Sequence, residues 1–244
     1  MYRKSVNCVI MNMRFIVLLA ILFSSTVYGQ AAYSYGFKLT GGASKVNSNE
    51  TVALGSQVVT WAPSGAASLF YQLKVGKRGL FGIEAGAGQI EGKSTTNVDV
   101  LDGSSNIIGS SSTVARQHLT YLQIPIYGGI TLNNTSFYIG PQLGIAVNAL
   151  GKQETTTTIS GSEVITSSEP NLNVGPLDYG GKIGVILKVG KKISLEASYY
   201  HGLANILDNK SSGSTTIWNN RQILLGARFS IRNTNDCGSC PIWN

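Results

Sequence analysis

The sequence predicts an all-β protein, a single eight-stranded antiparallel barrel that crosses a membrane, with short turns at one rim and long loops at the other. Three observations predict it. Apolar and polar residues alternate with a period of two in eight segments, the spacing at which successive side chains fall on opposite faces of a strand. The apolar stretches run about 9–11 residues, the length that crosses a bilayer at the usual strand tilt. The connections alternate between tight turns and links of about 20 residues, the polarity of transmembrane barrels.

The strands follow in order. The first, 33–45, sets Tyr35, Phe37 and Leu39 against Gly36, Lys38 and Thr40. The second, 66–75, sets Leu69, Tyr71, Leu73 and Val75 against Ser68, Phe70, Gln72 and Lys74. In the third, 80–90, Phe81, Ile83, Ala85 and Ala87 alternate with Gly82, Glu84, Gly86 and Gly88. The fourth, 118–132, opposes Leu122, Ile124, Ile126 and Ile130 to Tyr121, Gln123, Pro125 and Tyr127. The fifth, 136–149, opposes Phe137, Ile139, Leu143, Ile145 and Val147 to Tyr138, Gly140, Gln142, Gly144 and Asn148. The sixth and seventh lie in Leu177–Ser198 around Gly190-Lys191-Lys192, with Tyr179, Ile183, Leu187 and Leu195 against Asp178, Lys182, Lys188 and Glu196. The eighth, 221–232, places Ile223, Leu225, Ala227, Phe229 and Ile231 opposite Gln222, Gly226, Arg228 and Arg232. Gly76-Lys77-Arg78-Gly79, Asn133-Asn134-Thr135 and Gly190-Lys191-Lys192 read as tight hairpin turns. The links 46–65, 91–117, 150–176 and 203–220 are rich in Ser, Thr, Asn and Gly. Alternation persists within two of them, so strands are expected to continue there as hairpins beyond the main sheet.

The apolar face is assigned to lipid. No Lys, Arg, Asp or Glu falls on it in mid-strand, where a charge at the bilayer midplane costs about 2–4 kcal/mol. Ring closure removes the strand edges, which hydrocarbon cannot hydrate. A soluble lipocalin-like cup would need another surface to cover that face. The opposite face carries Lys38, Lys74, Lys182, Lys188, Arg228 and Arg232 with Glu84, Asp178 and Glu196. In a barrel of eight strands, whose interior has room for little but side chains, these nine are expected to converge as a lumen charge network. A salt-bridged plug is favoured over an ion path, since a lone buried charge is costly. Tyr33, Tyr35, Tyr121, Tyr127, Tyr138, Tyr179, Tyr199, Tyr200 and Trp218 include candidates for interface girdles.

The chain of 244 residues is 13% charged and 43% hydrophobic, which suits one all-β domain with few charges. Residues 1–29 read as an export signal: Arg3, Lys4 and Arg14 precede an apolar run from Phe15 to Val27, with a cleavage site at Gly29. That run is too short to span a bilayer. Met11 or Met13 would leave a better-proportioned leader, and Cys8 precedes the run, so it is not a lipid-anchor cysteine. Removing the leader takes three basic residues and lowers the net charge from +7 to +4, with sixteen basic side chains against twelve acidic. That excess, with no basic stripe interleaved with aromatics, excludes nucleic-acid binding. Residues 30–232 form the barrel and 233–244 a periplasmic tail.

The tail holds Cys237 and Cys240. Without a fold to lower a thiol pKa, the pair reads as a candidate disulfide in an oxidising compartment rather than a redox or metal site. His118 and His201 lie near the long-loop rim on the lipid-facing parity, with no Ser and Asp at recognisable spacing. No catalytic, cofactor or metal residues are assigned.

At Tyr121-Leu122-Gln123-Ile124-Pro125, Asp178-Tyr179-Gly180 and Tyr199-Tyr200-His201-Gly202-Leu203-Ala204-Asn205-Ile206, the chain resembles the PorT-like outer-membrane β-barrel family of Bacteroidota. The resemblance spans nearly all of the chain after the leader. It implies an eight-stranded barrel in a Gram-negative outer membrane, with some relatives linked to secretion and gliding, and no catalytic residues to carry over. Many such barrels end on an aromatic residue read by the assembly machinery, whereas fifteen residues follow Phe229 here. The expectation is a non-enzymatic structural or interaction barrel that supports secretion. Its partners would be outer-membrane lipid, the barrel-assembly machinery, and proteins met through the outer loops or the tail. The alternatives are a narrow porin-like channel and a membrane-embedded hydrolase or acyltransferase.

Overall fold

In the computed structural model, residues 32–48, 55–207 and 217–233 are described. The export signal and the Cys237/Cys240 tail lie outside these residues. The described residues form nine strands: β1 Tyr33–Ser48, β2 Gly55–Val75, β3 Gly79–Leu101, β4 Ile107–Leu132, β5 Thr135–Ile159, β6 Ser162–Ser168, β7 Leu177–Lys188, β8 Ile193–Gly202 and β9 Trp218–Asn233. Their order is β4-β3-β2-β1-β9-β8-β7-β5-β6, all antiparallel, and β4 pairs with β5. That last pairing closes a ring of eight strands. β6 pairs only with the outer part of β5 and stands outside the ring.

The turns at 76–79, 133–134 and 189–192 gather at one rim with the start of β1 and the end of β9. Gly76 and Asn133 take the left-handed conformation that tight turns require. At the other rim β2 to β6 run on past the ring as a five-stranded sheet. β3 and β4 stay paired from Gly92–Gln117 to Leu101–Ile107, about 30 Å of strand. The expected hairpin continuations are therefore present.

Strand limits differ from expectation where bulges interrupt the period. β2 was expected from 66 and begins at Gly55, because the register against β3 shifts between Trp61 and Gly65. Pro63 sits inside the shift, where a strand tolerates a missing donor. β5 bulges at Val147, since Thr120 faces Asn148 while Tyr121 faces Ala146. Asn148, expected in the lumen, turns outward, and Ala149 packs inside.

The outward face is apolar over the ring. Leu69, Ile139, Tyr179, Leu225 and their neighbours are large hydrophobic residues left exposed on it, as a lipid-facing wall requires. The inward face is buried, and glycine makes room on it. A Cβ at Gly82 would fall on the Tyr127 ring, and one at Gly184 on the Tyr138 ring; both glycines sit directly across the ladder from these tyrosines.

Candidate functional site

One layer of the lumen holds five ionisable side chains from five strands: Lys38 on β1, Glu84 on β3, Lys182 on β7, Glu196 on β8 and Arg228 on β9. None is more than 5% exposed. Inward parity brings them to one level; Lys38, for instance, lies across the ladder from Arg228. Arg228 Nη1 donates to Glu84 Oε1 at 3.1 Å and to Glu196 Oε2 at 2.8 Å, and its Nη2 donates to the Tyr127 hydroxyl at 2.9 Å. Lys38 Nζ bonds Glu84 and reaches Glu196 Oε1 at 3.1 Å. Lys182 Nζ stands 3.5 Å from Glu84 and 3.9 Å from Glu196. The Tyr138 hydroxyl donates to Glu196 Oε1 at 2.7 Å. The Arg228 guanidinium also lies 4.2 Å from the Phe70 ring centre, a cation–π contact in a desolvated setting. Three basic side chains thus face two carboxyl groups in this layer.

Little free space adjoins this layer. The void bounded by Lys38, Ser68, Glu84, Gln123, Lys182 and Leu224 amounts to about 10 Å³, the threshold for a single water. A second seal lies nearer the long-loop rim. Val46, Ile90, Leu119, Tyr121 and Ile206 form a buried cluster, with Leu172, Val174 and Trp218 packed on it. Ile206 and Leu172 belong to loops that fold inward over the ring. The Gly175 N–H donates to the Ile206 carbonyl at 2.7 Å, the Ile206 N–H to that of Trp218 at 3.0 Å, and Val174 bridges Leu207. Alternation alone cannot place these loop residues. Their apolar character within polar loops is the available signal.

Between the seals, Asp178 is buried and accepts a 2.8 Å hydrogen bond from the Asn220 amide, which also reaches the Tyr121 hydroxyl at 3.3 Å. Asp178 was expected in the charge network; it is in the lumen but bonds an amide rather than the ion layer. Lys74 and Lys188 line a separate cavity of about 290 Å³ at the short-turn mouth, with Arg228 at its base. Arg232 leaves the lumen altogether. Gly36 faces Ser230 while Tyr35 faces Arg232, so Ile231 bulges and the next side chain changes face. Arg232 lies outward, 5.4 Å from the Tyr33 ring centre.

The tyrosines divide likewise. Tyr33, Tyr35 and Tyr71 stack on the outer wall at the short-turn rim, with centroids 6.4 Å and 6.1 Å apart, and Tyr179 is exposed on that wall. Tyr121, Tyr127, Tyr138 and Tyr200 are buried in the lumen, and Trp218 packs on the upper seal. These five do not belong to a girdle. His118 pairs with Glu91 at 3.1 Å, and His201 Nδ1 lies 3.1 Å from the Tyr199 hydroxyl. The two histidines sit on different strands and are not brought together.

The chain is similar to several solved structures. Neisserial surface protein A (NspA) is 10% identical, covering 83% of this chain and 100% of that one, with a TM-score of 0.36. Ail, the attachment invasion locus protein of Yersinia pestis, is 11% identical over 82% of this chain and 97% of that one, TM-score 0.32. The outer membrane protein OprG from Pseudomonas aeruginosa is 11% identical over 83% and 95%, TM-score 0.29. No curated protein matches the chain. The family described as "Outer membrane protein beta-barrel domain" matches residues 28–208, from ahead of β1 through the end of β8 and the loop that follows. A ring of eight strands with a lipid-facing wall and a match over most of the sequence agree: the chain belongs to the outer membrane protein β-barrel domain family.

Proposed function

We propose that this protein is a non-enzymatic barrel, closed to solutes, that acts through the sheet raised above its long-loop rim. The observation that carries the reading is the double seal of the lumen. Transport would require both the ion layer and the apolar cap to open. The raised sheet supports an interaction role. Its last strand, β6, is exposed along its length, with Val164 at 61% and Ile165 at 63%, and among the described residues no strand pairs with its outer edge. Such an edge is a template for strand addition by a partner. The narrower PorT-like reading, with support of protein secretion, rests on the Tyr121–Pro125, Asp178–Gly180 and Tyr199–Ile206 motifs and belongs to the same proposal.

Single-channel recording of the refolded protein in planar bilayers tests this, with heat-modifiable gel mobility as proof of folding. A folded, silent barrel is expected. Steady conductance, altered by Glu84→Gln or Glu196→Gln, would replace the proposal with the channel reading. Turnover of a lipid or peptide substrate that is lost in His118→Ala or His201→Ala would replace it with the enzyme reading.

A further inference from the structure

We infer that a row of three cations on the outer face of the raised sheet is a docking track for a free anionic polysaccharide, one with sulfate or carboxylate groups closely spaced on its sugar units. The inference deepens the interaction reading of that sheet and rests on it, but uses neither the sealed lumen nor the β6 edge.

The row is set by register. Lys93 on β3 lies directly across the ladder from Arg116 on β4, and Arg116 from Lys152 on β5. The alternate residues Ser94, Gln117 and Gly151 are buried, so the three long side chains stand on the outer face. Adjacent strands are about 4.8 Å apart, which lines up three positive charges over about 10 Å. Like charges directly opposite one another weaken a sheet, and none of the three forms an ion pair among the described residues. An external anion would relieve that repulsion.

The carboxylates around the row limit it to a track. Glu91, one outward position below Lys93, pairs with His118 at 3.1 Å. Glu154 stands on β5 two residues past Lys152. Asp99 and Glu163 lie about 20 Å of strand farther up. Residues 49–54, with Glu50, join β2 at Gly55, which pairs with Val98, about 17 Å of strand past Lys93. Residues 208–216, with Asp208, adjoin the β9 side of the ring, four strands from β4.

Position and spacing choose the ligand. Leu122 is the last apolar residue of the outer face on β4 before Thr120, His118 and Arg116. Arg116 is about 20 Å of strand beyond it, or roughly 14 Å of height at a 45° tilt, whereas headgroups extend only about 5–8 Å past the hydrocarbon. The row therefore meets water above the headgroups. An extended acidic peptide sets same-face carboxylates about 6.8 Å apart, wider than the row, while a sugar unit with two anionic substituents holds them closer. Both cation types bond such oxyanions strongly, and Thr95, Ser112 and Thr156, on the same strand parity, offer hydroxyls to the sugar.

The test is isothermal titration of the refolded full chain in zwitterionic detergent, at low, fixed ionic strength, with heat-modifiable mobility as the check on folding. The titrants are a heparin-derived hexasaccharide, maltohexaose, hexaglutamate and dihexanoyl phosphatidylglycerol. Saturable hexasaccharide binding is expected, weakened at least tenfold in Lys93→Gln/Arg116→Gln/Lys152→Gln and at least threefold in Arg116→Gln alone. Lys77→Gln/Arg78→Gln/Lys191→Gln, which removes as many charges from the other rim, should change it by less than threefold. Absence of hexasaccharide binding, equal loss in the two triple variants, no loss in folded Arg116→Gln, or equal affinity for any of the other three titrants would overturn the track. Glycan binding in detergent is read apart from conductance, so this inference and the closed-barrel proposal can fail separately.

Discussion

At the residue scale, the strongest constraints are the buried ions. Each carboxylate of the layer meets more than one cation, so removing one member strands the others in a desolvated interior. Arg228→Met or Glu196→Gln should therefore lower the stability of the refolded barrel by about 3–5 kcal/mol, the cost of breaking a buried pair, measured by urea titration in detergent micelles. A loss under 1 kcal/mol would mean that water reaches the layer. Gly82 and Gly184 are constrained by shape instead, since a side chain there must displace Tyr127 or Tyr138. Gly184→Val is expected to cost about 1–3 kcal/mol through overpacking, while Gly181→Ala, where an added Cβ meets nothing within 4 Å, should be close to neutral by the same titration.

At the element scale, the strands carry two regimes along their length. Within the ring their outward face meets lipid, and Leu225→Arg should cost about 2–4 kcal/mol. On β6, beyond the ring, Val164→Lys should leave stability unchanged; an equal penalty at both positions would place β6 in the membrane. The β3–β4 tip is held by Asp102, whose carboxylate accepts N–H donors from Ser104 at 2.8 Å and Asn106 at 2.9 Å. The backbone and then the side-chain hydrogen bonds of Asn106, followed by that of Ser104, hold it below the usual carboxylate range. A lowered folded-state pKa contributes stability above the unfolded value, about 3.9, and loses it as pH falls through the folded value. Acidification through that range, or Asp102→Ala, should lower the amide protection factors of Ser104 and Asn106, taken relative to intrinsic exchange at each pH, and leave those of β7 and β8 unaffected. Bulges explain why strand ends were less legible than strand centres. One extra residue at Ile231, Val147 or near Pro63 reverses the parity, and sequence alternation has no mark for the partner strand that makes a residue extra.

At the scale of the whole molecule, the barrel, its lipid-facing wall and the polarity of its rims could be read from the chain. A side-chain period of two is a local property, and a bilayer selects against charge at every outward position independently. The lumen was legible in content more than in arrangement. Inward parity identified Lys38, Glu84, Lys182, Glu196 and Arg228, but which ions meet depends on the stagger of strands far apart in sequence. Lys38 and Arg228, 190 positions apart, become neighbours through the β1–β9 ladder. The same stagger leaves Asp178 with Asn220, sets Lys74 and Lys188 in a vestibule, and lets a bulge put Arg232 outside. The inward-folded loops were not legible from alternation, since Leu172, Val174 and Ile206 find their places only once the ring supplies an apolar floor. Local periodicity therefore specifies a wall between lipid and lumen, because each residue faces one solvent or the other. Whether that lumen is open or sealed is a property of ring closure, which brings distant side chains to one level and fills the space between them.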